Sequence, residues 1–174
     1  MRNWFVAVLP LLLIVTMPSF IVPGAAKPGT AAVSEPEQGP HAVTVYVNRL
    51  ELGAQGGRLA ADPILWYEGE AAAAAFAEHE PDAGIDGPLD GYYIVNDVKE
   101  TVEYPVAKDA EVLMQIYDRS GRIEDIQVKW NEPVSLKKFS RLLGDNDLID
   151  LSRFPYHLTI EGGQVVRIVQ QFIP

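Results

Sequence analysis

Apolar and polar residues alternate through much of the chain after residue 41, a pattern typical of strands with one buried face. The run HAVTVYVNRLEL, rich in β-branched residues, predicts a first strand of about nine residues. RLAADPILWY predicts a second strand, and the glycine-rich residues 53–57 between the two predict a hairpin with a five-residue loop. Pro63 has no backbone N–H to donate, so it predicts a bulge or an edge position in the second strand.

Two segments have the signals of helices. Residues 69–80 contain five consecutive alanines, the residue type with the highest helix propensity, and Phe76 is their one large apolar anchor. Residues 135–144 begin with Ser135, a favoured N-cap, and end with Gly144, a favoured C-cap. We therefore expect one alanine-rich helix that lies close to a sheet and one amphipathic helix.

The remaining apolar runs predict further strands. GYYIVND predicts a short strand, and YPVAKDAEVLMQIYD contains a longer one that forms a second hairpin with the alternating residues 126–130. PYHLTI and QVVRIVQQF flank Gly162 and Gly163, a strong hairpin signal because both turn positions need a positive φ. If that turn has two residues, His157 lies opposite Ile168 on the neighbouring strand.

These elements amount to about seven strands and two helices joined by short connections. We expect an α+β fold with a mostly antiparallel, strongly bent sheet or a small, partly open β-barrel. Residues 41–174 are numerous enough to form a single domain with its own core. Packing alone must stabilise that core, because the chain has no cysteine.

The first 26 residues predict export. Arg2 precedes an apolar run over residues 4–22, and small side chains occupy the two key positions before a cleavage site at Ala26. We expect cleavage there, although an apolar run of this length could instead remain as a membrane anchor. Residues 27–40, rich in Pro, Gly and Ala, predict a flexible linker between this leader and the domain.

The composition argues against two classes of partner. The chain has 24 acidic and 14 basic residues, a formal net charge of −10. Nucleic acids and anionic lipid surfaces are bound by clustered cations, so we expect neither as a partner, apart from a membrane contact by an uncleaved leader. We place the protein outside the cell or in the cell envelope, with tethering by residues 4–22 as the alternative.

Several segments together resemble a group of small exported proteins of Gram-positive bacteria that have no assigned activity. They are ADPILWYEGEAA, GYYIVND, YPVAKDAEV, VSLKKFSRLL and PYHLTIEGGQVVRIVQQFIP, in this order from about residue 42 to the C-terminus. The resemblance implies export and a single compact domain. It assigns no catalytic residue.

The sequence contains no motif for catalysis. No serine lies in a G-x-S-x-G motif, there is no cysteine nucleophile, and the three histidines lack the spacing of a zinc site. We favour an exported non-catalytic domain that binds a protein or a cell-envelope component. The alternative is a small extracellular hydrolase with a site assembled from loop carboxylates and His157.

Two surfaces are candidates for binding. Aromatic and amide side chains converge near predicted strand ends, where a ligand surface could form: Trp66, Tyr92, Tyr93 and Asn96. Cations of the second helix could form a docking patch for an acidic partner or an anionic wall polymer: Lys137, Lys138 and Arg141. The alternative is that these three cations form only a solvated face of the helix, without a binding role.

Calcium is the one cofactor for which the sequence offers ligands. Two oxygen-rich loops carry closely spaced aspartates: Asp82, Asp86, Asp90, Asp145 and Asp147. Neither loop has the spacing of the helix–loop–helix calcium motif, and Asp before Gly is also ordinary turn chemistry. We therefore expect no cofactor, with a weak calcium site as the alternative.

Overall fold

The structure is a computed structural model that describes residues 39–145 and 147–174. The predicted leader (1–26), its alternative role as an anchor (4–22) and nearly all of the predicted linker (27–40) lie outside the described residues. Within the described residues, no helix has both the length and the apolar character needed to cross a bilayer.

Seven strands and two α-helices make up the described part of the chain, as the sequence predicts. In chain order they are β1 (His41–Gly53), β2 (Gly56–Glu68), α1 (Gly69–His79), β3 (Tyr92–Val95), β4 (Val102–Met114), β5 (Glu132–Val134), α2 (Leu136–Leu143), β6 (Pro155–Glu161) and β7 (Gln164–Gln170). Two short 3₁₀-helices lie at Ile123–Asp125 and Leu151–Arg153.

Five of the strands close into a barrel in the order β1-β2-β4-β7-β6, because β2 pairs with β4 and β6 pairs with β1. The return of β6 to lie beside β1 is a Greek-key connection. The barrel is closed where we predicted a partly open one, and it includes a parallel pair, β4 with β7. β3 and β5 extend this sheet at the free edges of β2 and β4.

A large bulge in β4 allows the barrel to close. While β4 advances from Val106 to Glu111, its partner β7 advances only from Val165 to Arg167. Extra residues on one strand bend it and increase its twist. The first half of β4 can therefore pair with β2 while the second half pairs with β7 and β5.

The core fills the inside of the barrel and is sealed by α2. Inward-facing side chains of four strands are fully buried, among them Val45, Leu59, Leu158 and Ile168. Phe139 of α2 packs in the same cluster. The predicted caps of α2 are confirmed, since the Ser135 hydroxyl accepts a hydrogen bond from the Lys138 N–H (3.2 Å) and Gly144 follows the last turn.

The first hairpin is tighter than predicted. Gly53 pairs with Gly56, so the turn has two residues where we expected five, and β1 has 13 residues where we expected about nine. The prediction for Pro63 is confirmed as an edge position. On the edge of β2 away from β1, pairing with β4 ends at Ala61 and pairing with β3 begins at Leu65. In the part of the chain that the structure describes, no strand lies opposite Pro63 on this edge, so the absence of its N–H removes no ladder hydrogen bond there.

The predicted strand over residues 126–130 is wrong. This segment has no strand structure, and the partner of β4 is instead β5, which pairs through Val134 with Val112. The predicted register of the last hairpin is also wrong by one residue. Gly162 and Gly163 form the expected two-residue turn, but a bulge in β7 places Val169, and not Ile168, opposite His157.

The alanine-rich helix is confirmed as α1 and lies against the extension formed by β2 and β3. Ala72 and Ala75 are buried, and Phe76 packs edge-on against Tyr93 with ring centroids 5.5 Å apart. Small side chains allow the helix to approach the sheet closely, as we expected. This leaves the opposite face of β2 and β3 free to carry other side chains.

Candidate functional site

The structure brings Trp66 and Tyr92 together on the outer wall of the barrel. Their rings stack with centroids 4.6 Å apart and an interplanar angle of 12°. The indole N–H donates to the Glu68 carboxylate (3.1 Å), and the His157 ring lies edge-on to Trp66 at 5.8 Å. Both aromatic rings are half-buried, and each covers one face of the other.

Tyr93 and Asn96 do not join that pair. Successive residues of a strand point to opposite faces, so Tyr93 lies on the α1 side. The Asn96 amide donates to the Asp62 carboxylate (2.9 Å), which also accepts the Glu100 N–H (3.0 Å). The Asp62 carboxylate therefore holds the connection between β3 and β4 near both of its ends. The Asn96 amide is one of the two groups that it binds there.

His157 has a hydroxyl and an indole as its neighbours. Its Nδ1 lies 3.0 Å from the Thr44 hydroxyl, and its ring contacts Trp66. The hydrolase interpretation requires a carboxylate within hydrogen-bond reach of this ring. Among the residues that the structure describes, no carboxylate forms a hydrogen bond or an ion pair with His157, so this geometry does not support that alternative.

The predicted cationic patch is divided by the fold. Lys138 is half-buried, and its ammonium group donates to the Tyr117 hydroxyl (3.1 Å) while lying 4.5 Å from the centre of that ring. Lys137 and Arg141 are exposed. Lys137 lines a groove with Lys108, a residue that the sequence analysis did not select.

The predicted calcium ligands do not converge in the described part of the chain. Asp82, Asp86 and Asp90 are exposed, and the Asp145 carboxylate accepts the Asp147 N–H (3.4 Å), as in an ordinary turn. Within residues 39–145 and 147–174, no group of three or more His, Asp or Glu side chains lies close enough together to hold an ion. The calcium hypothesis therefore has no geometric support from these loops.

Residues 118–131 form an arm that the sequence analysis did not identify. Arg119 holds it in place by donating through Nε to the Glu132 carboxylate (2.9 Å) and through Nη1 to backbone carbonyls, including that of Gln127 (2.8 Å). Nη2 lies 2.8 Å from the same carboxylate oxygen but forms no aligned hydrogen bond there, so it adds charge attraction only. The guanidinium also lies 4.4 Å from the centre of the Tyr117 ring.

The arm exposes apolar side chains although Arg119, which anchors it, is largely buried. The Arg119 side chain is 13% exposed, whereas the residues Trp130 and Ile123 are 66% and 69% exposed. A further backbone hydrogen bond, from the Lys129 N–H to the Gln115 carbonyl (2.8 Å), fixes the residue beside Trp130. The arrangement displays a large aromatic side chain on a backbone that is held firmly.

Glu132 gives this anchor a pH dependence. The Tyr117 hydroxyl donates to its carboxylate (2.5 Å), and this bond, helped by Arg119, lowers the pKa of Glu132. The carboxylate therefore contributes stability that is fully present above its unfolded pKa and is lost as the pH falls through the lower folded pKa. Glu132→Gln should lower the free energy of unfolding at pH 7, and the difference from the wild type should shrink below about pH 4.

Urea unfolding at several pH values would measure this difference. Glu124→Gln, at an exposed position on the same arm, is the matched control and should follow the wild-type curve. A Glu132→Gln difference that stays constant between pH 7 and pH 3 would contradict the assignment.

Two grooves lie on either side of the β1–β2 hairpin tip and share Leu52, Gly53 and Gly56. The larger, about 460 Å³, is lined by this hairpin together with Arg58, Pro105 and Gln164. The smaller, about 280 Å³, lies between the hairpin tip and the start of α2. Neither groove contains the aromatic pair of Trp66 and Tyr92.

Comparison of the chain with protein-family models, with curated proteins and with solved structures gives no match. The resemblance to small exported proteins of Gram-positive bacteria therefore stays a prediction.

Proposed function

We propose that the protein is an exported, non-catalytic domain that binds a protein partner outside the cell or in the cell envelope, with Trp130 at the centre of the contact. The observation that carries this proposal is a tryptophan that is two-thirds exposed on a loop anchored by a largely buried arginine. Tryptophan is one of the three residue types enriched among the side chains that dominate protein–protein affinity.

The anchoring of the arm supports a binding role over a merely exposed side chain. Ordering a loop at the moment of binding costs free energy, and a loop that is already ordered avoids that cost. Arg119 fixes the arm through Glu132, through the Tyr117 ring and through backbone carbonyls. The exposed Ile123 offers further apolar area on the same arm.

Charge and the leader define the class of partner. The chain has a net charge of −10, so a neutral or basic protein surface is favoured over nucleic acid or an anionic polymer. The predicted export signal favours an encounter outside the cytoplasm. The stacked pair of Trp66 and Tyr92 is a weaker candidate surface, because each of its half-buried rings already covers one face of the other.

Trp130→Ala should strongly reduce partner binding without weakening the fold. Exposed side chains contribute little to stability, so the free energy of unfolding should change by less than about 0.5 kcal/mol. Loss of a central tryptophan should reduce recovery of the partner at least about ten-fold. The measurement is side-by-side affinity capture from envelope extract and culture supernatant of the producing organism, with exported wild-type and variant protein.

Leu89→Ala is the matched control, since Leu89 is 90% exposed but lies far along the chain from the arm. It should capture the same partner as the wild type. Equal recovery by the Trp130→Ala variant would remove Trp130 from the binding surface.

A further inference from the structure

The smaller groove lies beside a segment of β4 that has no strand partner on either edge. Pairing with β2 ends at Ala107, and pairing with β5 begins at Val112. On the other edge, the bulge interrupts pairing with β7 between Val106 and Glu111. In the described part of the chain, the backbone of residues 108–110 also forms no hydrogen bond to a loop or a turn.

Unpaired backbone groups at a strand edge are a template for another strand. The free stretch of three residues is about 10 Å long, at the usual rise per residue. Of these three residues, Lys108 lines the groove of about 280 Å³. The opening is bounded by Gly56 at one end and by Ser135 and Leu136 at the other.

Two lysines give this groove a positive charge on an acidic protein. Lys108 and Lys137 both line it, both are exposed, and neither forms an ion pair within residues 39–145 and 147–174. The neighbouring acid Glu111 is engaged elsewhere, with Arg167 at 3.0 Å. Asp109 is exposed but does not line the groove.

Apolar side chains complete the lining. Leu52 at the hairpin tip is 43% exposed, and Leu136 begins α2 on the facing side. The groove therefore offers both cationic and apolar contacts to an extended peptide that carries acidic and apolar side chains.

We propose that this groove binds a short, extended peptide segment with acidic side chains, which adds a strand of about three residues to the free edge of β4. The backbone of the peptide would pair with residues 108–110, and its carboxylates would be neutralised by Lys108 and Lys137. This site is separate from the arm and goes beyond the proposed function. A site that only attracted anions would involve the two lysines but not the unpaired edge of β4.

The probe is a fluorescently labelled eight-residue peptide of alternating Glu and Val, titrated with the full chain and followed by anisotropy. Lys108→Glu combined with Lys137→Glu should weaken binding at least about ten-fold, because attraction becomes repulsion at both positions. Lys99→Glu combined with Lys129→Glu is the matched control, since it changes the net charge equally at lysines outside the groove. The control should bind within about three-fold of the wild type at 0.15 M salt.

A second peptide, identical but methylated on its backbone nitrogens, separates strand addition from charge attraction. It keeps every carboxylate and loses every backbone donor, so it should also bind at least about ten-fold more weakly. Absence of binding to the wild type, or equal binding by the Lys108→Glu, Lys137→Glu variant, would overturn the proposal. So would equal binding of the methylated peptide or of inorganic polyphosphate, because either result would show an anion patch without strand addition.

Discussion

Exchange of Gly56 for alanine is expected to destabilise the barrel by about 3–5 kcal/mol, which is a large part of the total stability of a domain this size. Gly56 has a φ of +135°, a conformation that side chains rarely adopt. A Cβ atom at this position would also overlap the carbonyl oxygen of Val106 on the neighbouring strand. The obstacle is backbone, so a change of rotamer cannot relieve it.

The expected loss is large because Gly56 lies at a point of barrel closure. It pairs with Gly53 across the hairpin and with Ala107 across the contact between β2 and β4. Moving Gly56 away from β4 would therefore open that contact. Both grooves include Gly56 in their lining, so the variant should also lose affinity for the acidic peptide if it still folds.

Gly53→Ala in the same hairpin is the matched control. An added Cβ there would meet only the Gly56 carbonyl oxygen at 3.8 Å, an ordinary contact, and Gly53 does not have a positive φ. We expect its free energy of unfolding in urea to lie within about 1 kcal/mol of the wild type. Similar unfolding free energies for Gly53→Ala and Gly56→Ala would show that the close approach to β4 does not limit stability.

The sequence predicts elements well where the physical signal is local. Ser135 and Gly144 directly flank α2, so the signals for its start and its end lie within one turn of the residues that they cap. Gly162 and Gly163 likewise define a turn whose residues are adjacent in the chain. Each of these predictions depends on a few neighbouring residues, and the structure confirms them.

Barrel closure could not be predicted in the same way. It depends on the bulge of β4 between Val106 and Glu111, where Ala, Lys and Asp carry no signal for a bulge. The register of the last hairpin depends on one extra residue in β7, which changes the partner of His157. Such irregularities arise because the strands must meet distant partners, so a pattern along one strand does not show them.

The candidate site was predictable only in part for the same reason. Trp66 and Tyr92 lie on strands that a sequence pattern can identify, and the structure stacks them. The alternation of residues 126–130 has the period of a strand, yet the carbonyl of Gln127 bonds to Arg119 and not to a strand partner. A side chain that satisfies several backbone groups at once can replace a strand ladder, and a lone arginine gives no sign of this in the sequence.

Arg119→Ala should therefore cost about 2–4 kcal/mol and release the arm. Removal of one member of a largely buried ion pair leaves its partner without compensation, and here it also frees backbone carbonyls of the arm. Arg119→Lys should recover only part of the loss, because an ammonium group cannot serve the Glu132 carboxylate and those carbonyls together. The measurements are urea unfolding and amide hydrogen exchange of residues 122–129, which should become faster than in the wild type.

The same variant also links the anchor to the proposed function, because Trp130 would still be present but no longer held. Partner recovery by Arg119→Ala should fall at least about ten-fold under conditions where the barrel remains folded, since the partner must then order the arm as it binds. Arg122→Ala is the matched control. The ion pair of Arg122 with Asp125 (3.3 Å) lies at the surface, since the Arg122 side chain is 67% exposed. The Arg122→Ala variant should therefore change stability by less than about 1 kcal/mol and leave partner recovery unchanged. If Arg119→Ala and Arg122→Ala gave the same exchange rates and the same recovery, the arm would not depend on Arg119, and the exposure of Trp130 would be incidental.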